Sequence, residues 1–199
     1  MLRTFVSALA GVFLAGAASA ATVDYTNSQT NPGGPALSCQ VGSVNGIWDF
    51  LGTSCSVAYG NAGLGVTATF DPRPTQIDGT LLGRAERLIL DFGRDTVWNS
   101  ITFGLWDRND DVQLSFADGP SFIYGPGTSD NTISLGGIVS RALSITAFGE
   151  FPQDGILIGN DEFTVASIDV APVPLPAAGW MLIAGLGGIA TMRRRKRQA

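Results

Sequence analysis

Along the middle of the chain, apolar and polar residues alternate with a period of two. In "VWNSITFGLW" the side chains of Val97, Ile101, Phe103 and Leu105 share one face. In "VQLSF" Val112, Leu114 and Phe116 do the same, and Leu143, Ile145 and Ala147 follow suit. That period belongs to a half-buried β-strand. The pattern predicts strands over Gly65–Phe70, Arg87–Phe92, Val97–Leu105, Val112–Ala117, Ser121–Tyr124, Thr132–Leu135, Arg141–Phe148 and Glu162–Val170. Between them stand "DPRP", "RNDD", "ADGP", "GPG" and "PQDG". In such stretches Gly and Pro set the dihedrals of a turn, and Asp bonds nearby amides. No ten-residue stretch of the body holds a 3.6-residue period; "LLGRAERL" comes nearest and is interrupted by Gly83. Thr22–Ser38, rich in Asn, Gln, Ser, Gly and Pro, reads as an irregular lead-in. Short strands at this spacing predict an all-β fold, a β-sandwich with a jelly-roll-like topology, in one domain without internal repeats.

The two ends follow a different pattern. Met1–Ala20 places Arg3 before an apolar run from Phe5 to Ala18, and Ala18-Ser19-Ala20 presents small residues. This is the layout of a secretory signal peptide cut after Ala20. At the other end Leu175–Met192 carries no charge. As a helix it would span about 27 Å, close to the hydrocarbon thickness of a bilayer. Arg193, Arg194, Arg195, Lys196 and Arg197 follow at once and would stay on the cytoplasmic side. Both ends therefore place the body, Ala21–Ala171, outside the cytoplasmic membrane. On these residues alone the tail is either a permanent anchor or a removable label.

Val173-Pro174-Leu175-Pro176-Ala177, the apolar Gly-rich segment and the basic cluster together resemble the VPLPA-CTERM sorting signal, a PEP-CTERM-like signal of Gram-negative bacteria. The resemblance covers residues 172–199. It implies an exosortase-type membrane transpeptidase as partner, transient insertion of the C-terminal helix in the inner membrane, removal of the tail, and delivery to the cell surface. Pro172, Pro174 and Pro176 suit that reading, because none can continue a helix. The stretch Leu64–Gly119, with its "LILDF" and "GLWDRNDD" runs, also resembles the middle of other exported proteins with such tails. That likeness implies a jelly-roll-like sandwich and no established activity.

Composition narrows the chemistry. The body holds six Arg and all 17 acidic residues, a net charge of −11. A surface of that sign excludes nucleic acid as a partner. The chain has no His, and its single Lys, Lys196, lies in the tail. Ser-His-Asp and Cys-His catalysis, His-ligated zinc and Schiff-base lysines are thereby excluded. A hydrolase using two carboxylates, with Glu86, Glu150 and Glu162 as candidates, is not. Cys39 and Cys55 are the two cysteines, and export predicts a disulfide between them.

One polar run invites a metal. "DRNDD" spaces Asp107, Asn109 and Asp111 at alternate positions, with Asp118 further on, as oxygen ligands of a calcium loop would be. Position six is Val112 rather than Gly and the flanks read as strands, so an EF-hand is rejected. What remains is a looser calcium site, aided by Asp110 or Asp78, or a polar turn whose carboxylates bond backbone amides. Among the aromatics, Trp48, Trp98, Trp106, Tyr59 and Tyr124 are either core or a stacking platform for sugar rings. Trp98 and Trp106 fall on the face opposite the apolar positions, so both are expected to point outward. The leading expectation is a non-enzymatic exported surface or extracellular-matrix protein. The alternative is a calcium-assisted carbohydrate-binding module whose partner is extracellular polysaccharide.

Overall fold

The computed structural model describes residues 19–26, 34–43, 54–68, 74–80, 84–108, 110–124, 130–147 and 161–173. Among them there is no helix, and ten strands join in one large antiparallel sheet. In chain order these are β1 (Ala21–Asp24), β2 (Ala36–Ser43), β3 (Cys55–Gly60), β4 (Gly63–Ala68), β5 (Ile77–Thr80), β6 (Arg84–Gly104), β7 (Val112–Phe116), β8 (Ser121–Tyr124), β9 (Thr132–Ala147) and β10 (Glu162–Pro172). The order across the sheet is β3-β4-β10-β5-β6-β9-β7-β8, with β1 on β10 and β2 on β6.

β6 organises the fold. The two predicted strands Arg87–Phe92 and Val97–Leu105 are one 21-residue strand. Its first half pairs with β2 on one edge, from Ala36↔Asp91 to Ser43↔Arg84, and its second half pairs with β10. β9, which also merges two predicted strands, runs along the other edge of both halves. The register slips between Asp91 and Thr96, and Gly93 in that stretch has a φ of +67°. A side chain there would meet no atom, so the backbone angle, which glycine alone adopts freely, is what the bend requires.

β1, β2, β3 and β5 were not predicted as strands, and β1 and the start of β2 lie within the expected irregular lead-in. β1 and β5 have four residues each, too few to show a period, whereas Leu37, Cys39 and Val41 of β2 do alternate with polar residues but follow a Gly- and Pro-rich run that reads as loop. β3 and β4 form a hairpin from Cys55↔Ala68 to Gly60↔Gly63. The Cys39–Cys55 disulfide joins β2 to β3, with Cα atoms 6.1 Å apart. At Gly65 an added Cβ would collide with the Thr75 carbonyl, so the β4 backbone passes flush against that segment.

The apolar faces turn inward as the alternation requires. Val112, Leu114 and Phe116 of β7 are buried, as are Leu143, Ile145 and Ala147 of β9. They pack with Leu88, Leu90, Ile101, Phe103, Phe163, Val165 and Ile168 into a single core. Trp98 departs from expectation. It is wholly buried rather than outward, packing edge-on against Phe92 and Phe116 at 5.4 and 6.0 Å. The cause is a register slip against β10, where the adjacent residues Asp169 and Val170 face Ser100 and Trp98. One extra residue there puts Trp98 and Ile101 on the same side, although their numbers have opposite parity.

Candidate functional site

The end of β6 brings together the aromatics and the acidic residues. Phe103 points into the core, and Leu105, two residues on, is 55% exposed with a φ of +58°. A left-handed angle at a non-glycine residue costs about 1–2 kcal/mol, so Leu105 is held there by its surroundings. The consequence is a sharp reversal. Trp106 folds back over Phe103 in a stacked arrangement, centroids 5.0 Å apart and planes 25° apart. Phe163 of β10 and Tyr124 of β8 complete the group at 5.6 and 6.0 Å from Trp106. Trp106 and Tyr124 are partly buried against the core, so each keeps an accessible portion.

Beside this aromatic group the carboxylates bind main-chain amides. Asp110, wholly buried, accepts hydrogen bonds from the amides of Asp107 at 2.6 Å and Glu162 at 3.0 Å. The buried Asp161 carboxylate accepts from the Asp111 amide at 2.9 Å, and its main-chain carbonyl accepts from the Gly79 amide at 3.2 Å. Glu86 accepts from the Asp78 amide at 3.2 Å, and Asp78 in turn lies opposite Glu162. Asp78, Glu86, Asp110, Asp111 and Asp161 are thus buried together where β5, β6 and β10 meet the loop before β7. Carboxylates removed from water need strong partners, and amides of neighbouring segments supply them at Glu86, Asp110 and Asp161. The arrangement fastens the Trp106 loop to β10 and β5.

The residues singled out earlier now have places. Asp107 is exposed, Asp111 is buried, and Asn109 lies outside the described residues. Among the described residues no three acidic, His or Cys side chains stand close enough to hold a metal ion. Asp118 is exposed and its amide donates to the Ser140 hydroxyl at 3.3 Å. Glu86 and Glu162 are not scattered on the surface; Glu86 is wholly buried and Glu162 is partly covered. Tyr59 is exposed on the β3 hairpin. Trp48 and Glu150 lie outside the described residues.

Of the termini, Ser19, Ala20 and Val173 are exposed. The rest of the signal segment, Pro174–Ala177, the apolar segment and Arg193–Arg197 lie outside the described residues. Among the described residues no helix is long and apolar enough to cross a membrane. Sequence reasoning missed Asp161, because its partner in the site is 50 residues away and no local motif marks it.

No family model matches the chain, and no curated protein does. Three solved structures are similar in part. A fucose-binding module, SpX-3, from Streptococcus pneumoniae is 13% identical, with 50% of this chain and 69% of that one covered and a TM-score of 0.27. The family 32 carbohydrate-binding module of C. perfringens NanJ, solved with galactose, is 18% identical, with 46% and 69% covered and a TM-score of 0.25. Chitosan-binding module 1 of a chitosanase/glucanase from Paenibacillus sp. IK-5 is 11% identical, with 68% and 93% covered and a TM-score of 0.29. At these TM-scores the likeness establishes neither a common fold nor a common site.

Proposed function

We propose that the chain is an exported surface or extracellular-matrix protein whose body, a jelly-roll-like β-sandwich, works without catalysis. Val173–Ala177, the apolar segment after it and Arg193–Arg197 serve as the sorting signal read by an exosortase-type transpeptidase. The observation that carries the reading is the Cys39–Cys55 disulfide between β2 and β3. A bond of this kind persists outside the cytoplasm and is reduced inside it. The test is the intact mass and thiol content of the protein recovered from the cell envelope and medium. A chain lacking residues 1–20 and the tail, with no free thiol, supports the reading. Retention of Trp180–Ala199 supports a permanent anchor instead, and a full-length reduced chain in the cytoplasm overturns export.

A second reading, polysaccharide binding by the body, is favoured by the Trp106–Tyr124 pair. An indole and a phenol held 6.0 Å apart with accessible portions offer apolar faces to a sugar ring, and exposed Asp107 lies next in sequence to accept from its hydroxyls. Binding to a glycan array, with and without millimolar calcium, tests it. Selective binding lost in Trp106→Ala supports the site, whereas undiminished binding in that variant moves it elsewhere.

A further inference from the structure

The run "DFGRDT", Asp91–Thr96, breaks the ladder of β6. Across it β6 advances five residues while the facing β9 advances two, from Ala142 to Ser140. The ladder to β2 ends at Asp91, and the ladder to β10 reaches no further than Thr96. β6 thus carries three residues in excess, and Phe92–Asp95 face no partner in any ladder. Gly93, at a φ of +67°, makes the bend, and the Thr96 hydroxyl donates to the Arg94 carbonyl at 3.2 Å and closes it. A bulge of this kind re-aims the side chains it carries.

Phe92 and Arg94 border a cavity of about 220 Å³, whose other walls include Val23 of β1 and Val170, Ala171 and Pro172 of β10. Val23 and Val170 are buried, and the half-buried Phe92 ring is fixed edge-on against Trp98 at 5.4 Å. Drug-sized ligands occupy roughly 300–1,000 Å³, so this space suits one ring-sized group. The body has a net charge of −11, yet Arg94 is the single charged residue among the described ones that line the cavity. Arg94 is exposed and forms no ion pair among the described residues; Asp91 is engaged instead by Arg141 at 3.5 Å. A guanidinium beside apolar walls matches a molecule that is anionic at one end and apolar at the other. A sugar, polar all round, would meet only the Thr22 and Thr96 hydroxyls among the side chains, and the Thr96 proton is already committed.

We propose that this cavity binds a small monocarboxylate with an apolar, ring-sized body. The carboxylate pairs with Arg94, and the body lies against Phe92, Val23 and Val170. Such an end group belongs either to a free acid or to the last residue of a peptide, and the cavity reads the chemistry the two share. The site lies wholly within Ala20–Val173 and shares no residue with the Trp106–Tyr124 pair. It holds whether or not the tail is removed, and whether or not that pair binds a sugar.

The experiment titrates the protein, as recovered from the envelope or medium, with phenylpropionate, its neutral amide, N-acetylphenylalanine and glucuronate. Methyl NMR signals of Val23 and Val170 report occupancy. Phenylpropionate is expected to shift both signals with half-saturation at about 1 mM, the affinity suited to a ligand of this size. The amide is expected to bind about fivefold more weakly, the worth of one partly wet ion pair. Arg94→Gln, a change at an exposed position, is expected to abolish that difference while the melting temperature stays put. Tighter binding of N-acetylphenylalanine than of phenylpropionate assigns the peptide end, and the reverse order assigns the free acid; either supports the site. Three results overturn the proposal: no shift of either valine at 10-fold the expected half-saturation, equal binding of acid and amide by the parent chain, or tighter binding of glucuronate than of phenylpropionate.

Discussion

The indole N–H of Trp98 donates to the main-chain carbonyl of Ser140 at 2.9 Å, joining β6 to β9 inside the core. The Ser140 hydroxyl donates to the Ala142 carbonyl at 3.0 Å and accepts from the Asp118 amide, so the slip in register is pinned by side chains as well as by the ladder. A buried indole N–H requires an acceptor, and here the bulge presents one. Trp98→Phe removes the bond and leaves a void beside Phe92 and Phe116. The expected loss is about 2–4 kcal/mol in urea unfolding. A change below about 0.5 kcal/mol, the size ordinary for surface positions, would show that Trp98 faces outward after all.

Why the sequence misplaced Trp98 but not Val112, Leu114 and Phe116 is a matter of local regularity. β7 pairs without a slip, so its alternation reads straight through to its buried face. β6 carries one extra residue against β10, between Trp98 and Ser100, and that residue inverts the parity that a periodic reading relies on. The site was partly legible for the same reason. Asp107, Asn109 and Asp111 were grouped because they are close in sequence. The structure instead gathers Asp78, Glu86, Asp110, Asp111 and Asp161, which β5, β6 and β10 bring together from distant positions. Composition carries no record of such pairing. It did reveal the single disulfide, since two cysteines admit one connectivity.

Asp110 offers a direct test of the role given to the carboxylates. One of its oxygens accepts from the Asp107 amide and the other from the Glu162 amide. Asp110→Asn keeps the shape but turns one acceptor into a donor facing an N–H. Leaving a buried amide without its acceptor costs about 1–3 kcal/mol. The variant is expected to unfold at correspondingly lower urea and to show faster amide exchange at Asp107 or Glu162. Unchanged exchange at both would remove Asp110 as the fastener of the Trp106 loop.

The Cys39–Cys55 bond closes a loop with a sequence separation of 16 residues. In the chain-entropy account a loop of that size stabilises the folded state by about 3 kcal/mol. It also ties β2 to the β3–β4 hairpin, and β3 has no other paired neighbour among the described residues. Reduction, or replacement of both cysteines by Ala, is therefore expected to lower stability by about that amount. Protection of β3 amides is expected to fall before that of β6. Loss of less than about 1 kcal/mol, well under the entropic expectation, would mean that the hairpin holds without its tether.

Tyr25 supplies the pH dependence. Its ring is buried at the end of β1, and among the described residues its hydroxyl has no hydrogen-bond partner. Burial, and secondarily the Tyr59 hydroxyl, push the phenol well above its ordinary value of 10.0. The sign follows from linkage. In the unfolded chain the phenol ionises near its ordinary value, while in the folded chain it stays neutral, so the unfolded state alone gains from rising alkalinity. Stability is thus unaffected by Tyr25 below about pH 10 and falls as pH rises beyond it. Tyr25→Phe removes this dependence. It leaves stability near neutrality equal or slightly higher, because a buried hydroxyl without a partner is lost. Thermal melting of both chains between pH 8 and about pH 11, the range that brackets the ordinary tyrosine value, gives the comparison. The expected result is curves that coincide at the lower end and diverge above pH 10, the parent falling faster. Parallel curves across that range would mean that Tyr25 ionises as readily folded as unfolded, and that β1 does not bury it.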